Sequence, residues 1–169
     1  MSSNNRILHQ GNLISVHSER VELTNGGHTY FDIVKHPGGS VIAAIDDQNN
    51  LCLLKQWRHA VQQFIWEFPA GCLEVTEPPL ETAIRELEEE TGIIAKQWRD
   101  LGYVVPSPGF CNEKLYFFEA RDLSKGTLKL DEAEQLEAHW LPLEKIKDMA
   151  RAGEIIDAKS LALLCRLYI

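Results

Sequence analysis

The chain has 169 residues, 44% of them apolar and 25% charged, with a formal net charge of −8. One domain with its own core is the default at this size; the acidic balance excludes a general nucleic-acid-binding face, which needs basic surface. Its four cysteines are far apart with no CxxC, which argues against a zinc site or disulfide framework and for a reducing cytoplasm, and no apolar run approaches the roughly 20 residues of a membrane span.

In chain order, the first ten residues lack the apolar core of a signal peptide. Residues 12–23 alternate in part between apolar and polar positions, "TNGGH" supplies a turn, and "TYFDIVKH" returns as a strand. This antiparallel hairpin, within residues 1–38, is expected to stand apart from a main domain over 39–169. "SVIAAI", "DDQNN" and "LCLLKQW" predict a second hairpin with a polar turn. "QQFIWEFPAG" reads as one strand that stops at Pro69 and Gly71. A helix follows: Leu80, Ala83, Ile84 and Leu87 make an apolar stripe, Pro78 and Pro79 suit its start, and Gly92 suits its left-handed end. Strands are expected at "LGYVV", "KLYFFEA" and "LEAHWLP", then helices near 142–152 and 157–168, with Asp157 as N-cap of the last. Strands, helix, strands and helices in that order describe an α+β domain rather than repeated βαβ units.

The predicted helix concentrates carboxylates. Glu86 and Glu90 share one face four residues apart, with Glu89 beside them, and like charges at this spacing cost a few tenths of a kcal/mol each. Arg85, four residues from both Glu81 and Glu89, relieves part of the repulsion. A divalent cation would relieve the rest: magnesium prefers hard carboxylate oxygens and shares its shell with substrate phosphates. Ions on such a face can bind and polarise a diphosphate. The plainer reading is a solvated acidic helix face.

A family resemblance, carried by nine residues of this stretch, favours the cation. Gly71, Glu77, Arg85, Glu86, Leu87, Glu89, Glu90, Gly92 and Ile93 fill every constrained position of a pattern that resembles the Nudix box. The resemblance implies the Nudix fold, a mixed β-sheet packed between helices, and magnesium-dependent hydrolysis of a nucleoside diphosphate linked to another moiety, with manganese as a substitute ion. It implies Glu86, Glu89, Glu90 and the Ala70 carbonyl as metal ligands, and an Arg85–Glu77 pair that holds the preceding loop to the helix.

Two further stretches are similar to the ADP-ribose pyrophosphatase and nucleotide-sugar hydrolase branch. In "VVPSPGFCNEKLYFFEA", Pro108 lies sixteen residues past Gly92, where that branch carries a marker proline, and Glu113 follows. In "KQWRHAVQQFIWEFPAG", Arg58 would contact substrate phosphate through its bidentate fork, and Glu67 would stand at the site wall. Trp57 and Trp66 are open to either base stacking or core packing. In "KLDEAEQLEAHW", the resemblance implies an acidic loop that handles the attacking water, with Glu132 as general base and Glu134 as its partner; Asp131 stays open as an alternative. The branch also implies a two-fold homodimer built with the N-terminal segment. ADP-ribose is the expected substrate, yielding AMP and ribose 5-phosphate. The alternatives are GDP-mannose or another nucleotide sugar and, from a different class, a non-catalytic nucleotide-binding regulator.

Overall fold

The computed structural model describes residues 5–130 and 135–168. The chain opens with β1 (Arg6–Gln10), β2 (Ser15–Glu22) and β3 (His28–Lys35), an antiparallel sheet in that order. The expected hairpin is its β2–β3 arm, closed by the Leu23 amide on the Gly27 carbonyl at 2.8 Å, with Gly26 at φ 82°. β1 went unforeseen because "RILHQ" is short and exposed throughout.

The next two strands, β4 (Gly39–Ala44) and β5 (Asn50–Arg58), do not form the predicted second hairpin. One isolated bridge, Ile45 to Leu51, is their only ladder contact among the described residues. Both runs are apolar on both faces, so each is buried fully only with a neighbour on either edge. β5 accordingly lies between β6 (Gln63–Glu67) and β10 (Leu136–Pro142). β4 lies between β7 (Ala70–Cys72) and β9 (Leu115–Lys125), with β8 (Ile93–Val104) outside β9. β4 and β9 run parallel, while the other pairings are antiparallel. The single strand expected over 62–71 thus divides into β6 and β7 in two sheets. The break falls at Phe68 and Pro69; Pro69 has no N–H to donate, and its carbonyl accepts the Ile42 amide at 2.8 Å.

Alternation along β4 and β5 then sorts the core. Val41, Ala43, Leu51 and Leu53 face α2 (Leu143–Arg151) and α3 (Ala158–Tyr168), meeting Ile146, Met149 and Leu163. Ile42, Ala44, Cys52 and Leu54 face α1 (Pro79–Thr91), meeting Ala83 and Leu87. Helices therefore cover opposite faces of the strands, and the architecture is α+β. Burying a side chain such as Leu87 contributes roughly 2 kcal/mol. No helix among the described residues is long and apolar enough to cross a membrane.

Candidate active site

α1 starts with a proline in its first turn and ends at Gly92, φ 67°, whose amide donates to the Glu88 carbonyl at 2.8 Å. Its buried face differs from the expected stripe. Ala83 and Leu87 are buried, but Leu80 and Ile84 remain 37% and 36% exposed; Thr82 and Glu90 are buried instead. The face follows 83, 87 and 90, which places a carboxylate in the core. Glu90, 2% exposed, accepts the Ala70 amide at 2.9 Å. Buried carboxylates are retained only when such bonds replace water, so β7 and α1 are locked together through Glu90.

Arg85 organises the rest. Its Nε and Nη2 donate to the two Glu77 oxygens at 3.1 and 3.0 Å. Its Nη1 donates to Glu86 at 2.6 Å and Glu89 at 3.0 Å, and its Nη2 reaches the Cys72 carbonyl at 3.3 Å. The hydrogen bonds from Arg85, with one from Thr82, hold the Glu77 carboxyl down at about 2. The loop before α1 is thereby fastened to the helix by one guanidinium. Gly71 shows why no side chain fits beneath it: a Cβ there would stand 1.9 Å from Glu86 Cδ and Oε1. The Glu86 carboxylate lies across the glycine.

These groups open onto a cavity of about 440 Å³, whose lining includes Arg58, Ala70, Gly71, Arg85, Glu86 and Glu89. Arg58 reaches it from the end of β5, held by two bonds to Glu67 at 2.6 and 2.7 Å. Glu67 is 1% exposed. Burial opposes its ionisation, but the bonds from Arg58 and the charge of Lys159 outweigh that and hold its pKa below the ordinary range. Lys159 pairs with Glu67 and, at 3.0 Å, with Asp157. Asp157 caps α3 by accepting the Ser160 amide at 3.0 Å, and Ser160 Oγ accepts the Phe68 amide at 2.8 Å. Two cations and two carboxylates therefore fix the C-terminal helix to the wall behind Arg58.

The remaining expected site residues divide. Glu113 lines the cavity, 3.5 Å from His36 Nδ1. Pro108 is exposed and outside the lining, on a loop whose Phe110 carbonyl accepts the Val34 amide at 2.7 Å. Trp57 packs edge-on with Phe64 and Trp66 with His139, away from the lining. Glu132 and Glu134, with Asp131, lie outside the described residues. Sequence reasoning missed Leu13, His36, Lys129 and Lys159 in the lining. "DAKS" at the start of α3 held a signal for Lys159, since a capping aspartate two residues before a lysine puts both charges on one turn.

The donor set suits a hard divalent cation. Glu86 and Glu89 are carboxylates on one cavity wall, and Glu90 lies behind them at Ala70. Among the described residues no three side chains close tightly around one point, and Arg85 is bonded to both Glu86 and Glu89. Magnesium, which keeps several waters and substrate oxygens in its shell, does not require three converging protein ligands.

A family model described as NUDIX domain matches residues 34–164. The chain is 40% identical over 152 residues to an ADP-ribose pyrophosphatase of Bacillus subtilis (strain 168), covering 89% of this chain and 82% of the relative. It is 36% identical over 152 residues to a methanol dehydrogenase activator of Bacillus methanolicus, at 89% and 82% coverage. It is 33% identical over 159 residues to an ADP-ribose pyrophosphatase of Mycobacterium tuberculosis (strain ATCC 25618 / H37Rv), at 92% and 76% coverage. A crystal structure of an ADP compounds hydrolase matches with a TM-score of 0.85 over 97% of this chain and 89% of the other, at 24% identity, a likeness of fold.

Proposed function

The chain belongs to the NUDIX family, and on that premise we propose that it hydrolyses the pyrophosphate bond of a nucleoside diphosphate sugar, ADP-ribose first, to AMP and ribose 5-phosphate. One observation carries the reading: the carboxylates of α1 and the phosphate-binding type of cation, Arg58, line the same cavity of about 440 Å³. The two relatives named ADP-ribose pyrophosphatase support the choice of substrate.

In this reading Glu86, Glu89, Glu90 and the Ala70 carbonyl would hold a divalent cation, magnesium with manganese as substitute, which when bound would supply charge neutralisation and a more acidic water. Arg58, kept rigid by Glu67, binds a phosphate oxygen. Glu113 contacts the rest of the substrate at the cavity edge, and the loop carrying Pro108 shapes that edge. Glu132 accepts the proton of the attacking water, with Glu134 as its partner. The water oxygen bonds to one phosphorus while the bridging P–O bond breaks, and the other phosphate leaves with the electron pair. Residues 1–38 serve as a dimerisation arm to the hydrolase domain over 39–169; the exposed Ile7, Leu8, Tyr30 and Phe31 on the N-terminal sheet support a homodimer. A cytoplasmic location completes the reading.

One panel tests it: ADP-ribose, GDP-mannose, dinucleoside polyphosphates and a nucleoside triphosphate, each with magnesium. ADP-ribose is expected to be cleaved fastest, and fastest cleavage of the triphosphate would overturn the branch assignment. The relative named as an activator favours a second reading, a regulator that binds nucleotide; such a protein would retain ligand in the panel without releasing product. Glu90→Gln is expected to abolish most turnover, and a variant near wild type would sink the metal-ligand assignment.

A further inference from the structure

Four cations line the cavity, and carboxylates already match three of them. Arg58 is bonded to Glu67, Arg85 to Glu77, Glu86 and Glu89, and Lys159 to Glu67 and Asp157. The fourth, Lys129, has no ion-pair partner among the described residues. Glu86, Glu89 and Glu113 add negative charge to the same lining. Among the described residues, Lys129 is thus the one lysine or arginine of the lining with no carboxylate paired to it.

The backbone holds Lys129 at that place. After β9 the chain folds onto the C-terminal end of α1. The Gly126 amide donates to the Gly92 carbonyl at 2.8 Å, the Thr127 amide to Glu88 Oε1 at 3.2 Å, and the Lys129 amide to the Glu89 carbonyl at 3.0 Å. The approach is close: a Cβ at Gly126 would stand 2.8 Å from Ile94 Cγ1 and 3.0 Å from Glu88 Oε1. Glu88 occupies an unconstrained position of the box, and its carboxylate anchors this stretch instead of facing the cavity. The last carbonyls of a helix lack intrahelical donors, so the loop amides satisfy them while fixing where the lysine stem begins.

The geometry points to Lys129 as a further substrate-binding residue, whose ammonium takes a phosphate oxygen of the diphosphate, with Glu88 as the residue that positions it. The assignment rests on the cavity being a diphosphate site and goes beyond the reading above in adding a second phosphate-binding cation to Arg58. A lysine suits the role as a compact point charge on a flexible stem.

Calorimetric titration of the whole protein with inorganic pyrophosphate in magnesium buffer tests the assignment. Lys129→Met is expected to weaken binding about tenfold, and Lys129→Arg to restore most of it. Glu88→Ala is expected to weaken binding by a smaller factor. Lys145→Met, which removes one exposed charge from α2, is the control for net charge and should leave binding unchanged. With ADP-ribose as substrate, Lys129→Met should raise KM about tenfold and leave kcat within about twofold. Binding within about twofold of wild type in Lys129→Met, an equal loss in Lys145→Met, or no pyrophosphate retention by the wild type would each overturn the assignment. A wild type that binds pyrophosphate through Lys129 yet leaves ADP-ribose intact would overturn the proposed function and leave this assignment standing.

Discussion

Replacing Gly71 by alanine separates a catalytic effect from a folding effect. The new Cβ would lie 1.9 Å from Glu86 Cδ and Oε1 and 2.5 Å from Cγ. Non-bonded carbon atoms settle near roughly 3.5 Å, so the carboxylate must retreat by about 1.6 Å. The clash involves the far end of a flexible side chain that lines an open cavity, so rotation of Glu86 relieves it without moving β7 or α1. That rotation removes one carboxylate from the wall proposed to hold the cation and breaks its 2.6 Å bond to Arg85. A misplacement near 1 Å at a reacting centre can cost on the order of 10²-fold in rate. Gly71→Ala is therefore expected to lower kcat for ADP-ribose by about two orders of magnitude, read as phosphate released from AMP and ribose 5-phosphate by an added phosphatase under saturating magnesium. Thermal unfolding should change by only a few degrees, about that of an ordinary surface substitution. A variant whose kcat stays within about threefold of wild type would show that the position of Glu86 does not limit turnover.

Two other outcomes follow from the charge network. Glu67→Gln leaves Arg58, 40% exposed, facing a neutral amide and Lys159 with Asp157 alone; losing the charged hydrogen bonds should cost about 2 kcal/mol, to be measured by urea denaturation, and an unchanged midpoint would contradict the network. Glu77 has a folded-state pKa of about 2 against an ordinary 4.5, so its ionised form stabilises the fold above pH 4.5 and that contribution disappears as pH falls toward 2. Glu77→Gln should be less stable than wild type at neutral pH and converge with it in this acid window, as followed by denaturation at a series of pH values.

Local spacing explains why part of this site was legible. Glu77, Arg85, Glu86 and Glu89 lie within thirteen residues, and helix periodicity alone brings the last three together on one wall. Burial of Glu90 in place of Ile84 was not legible, because apolar periodicity sends carboxylates outward. The amide that reverses this belongs to Ala70, twenty residues away. The separation of β4 from β5 was hidden for a related reason: a strand apolar on both faces carries no mark of its partner, and the polar turn suggested the wrong one. For Lys159 only the Asp157 contact is marked locally; its partner Glu67 is 92 residues away, and Lys129 takes its place from the end of α1, which nothing beside either lysine encodes.

The loop that carries Glu113 is also the one that grips the N-terminal sheet. The Val34 amide donates to the Phe110 carbonyl at 2.7 Å, and Asn112 Oδ1 accepts the His36 amide at 2.8 Å. Leu13, in the β1–β2 turn of that outer sheet, and His36, just past β3, join the cavity lining. A substitution at Leu13 or His36 therefore alters the lining from the N-terminal side while Glu86, Glu89 and the helix that carries them stay as they are.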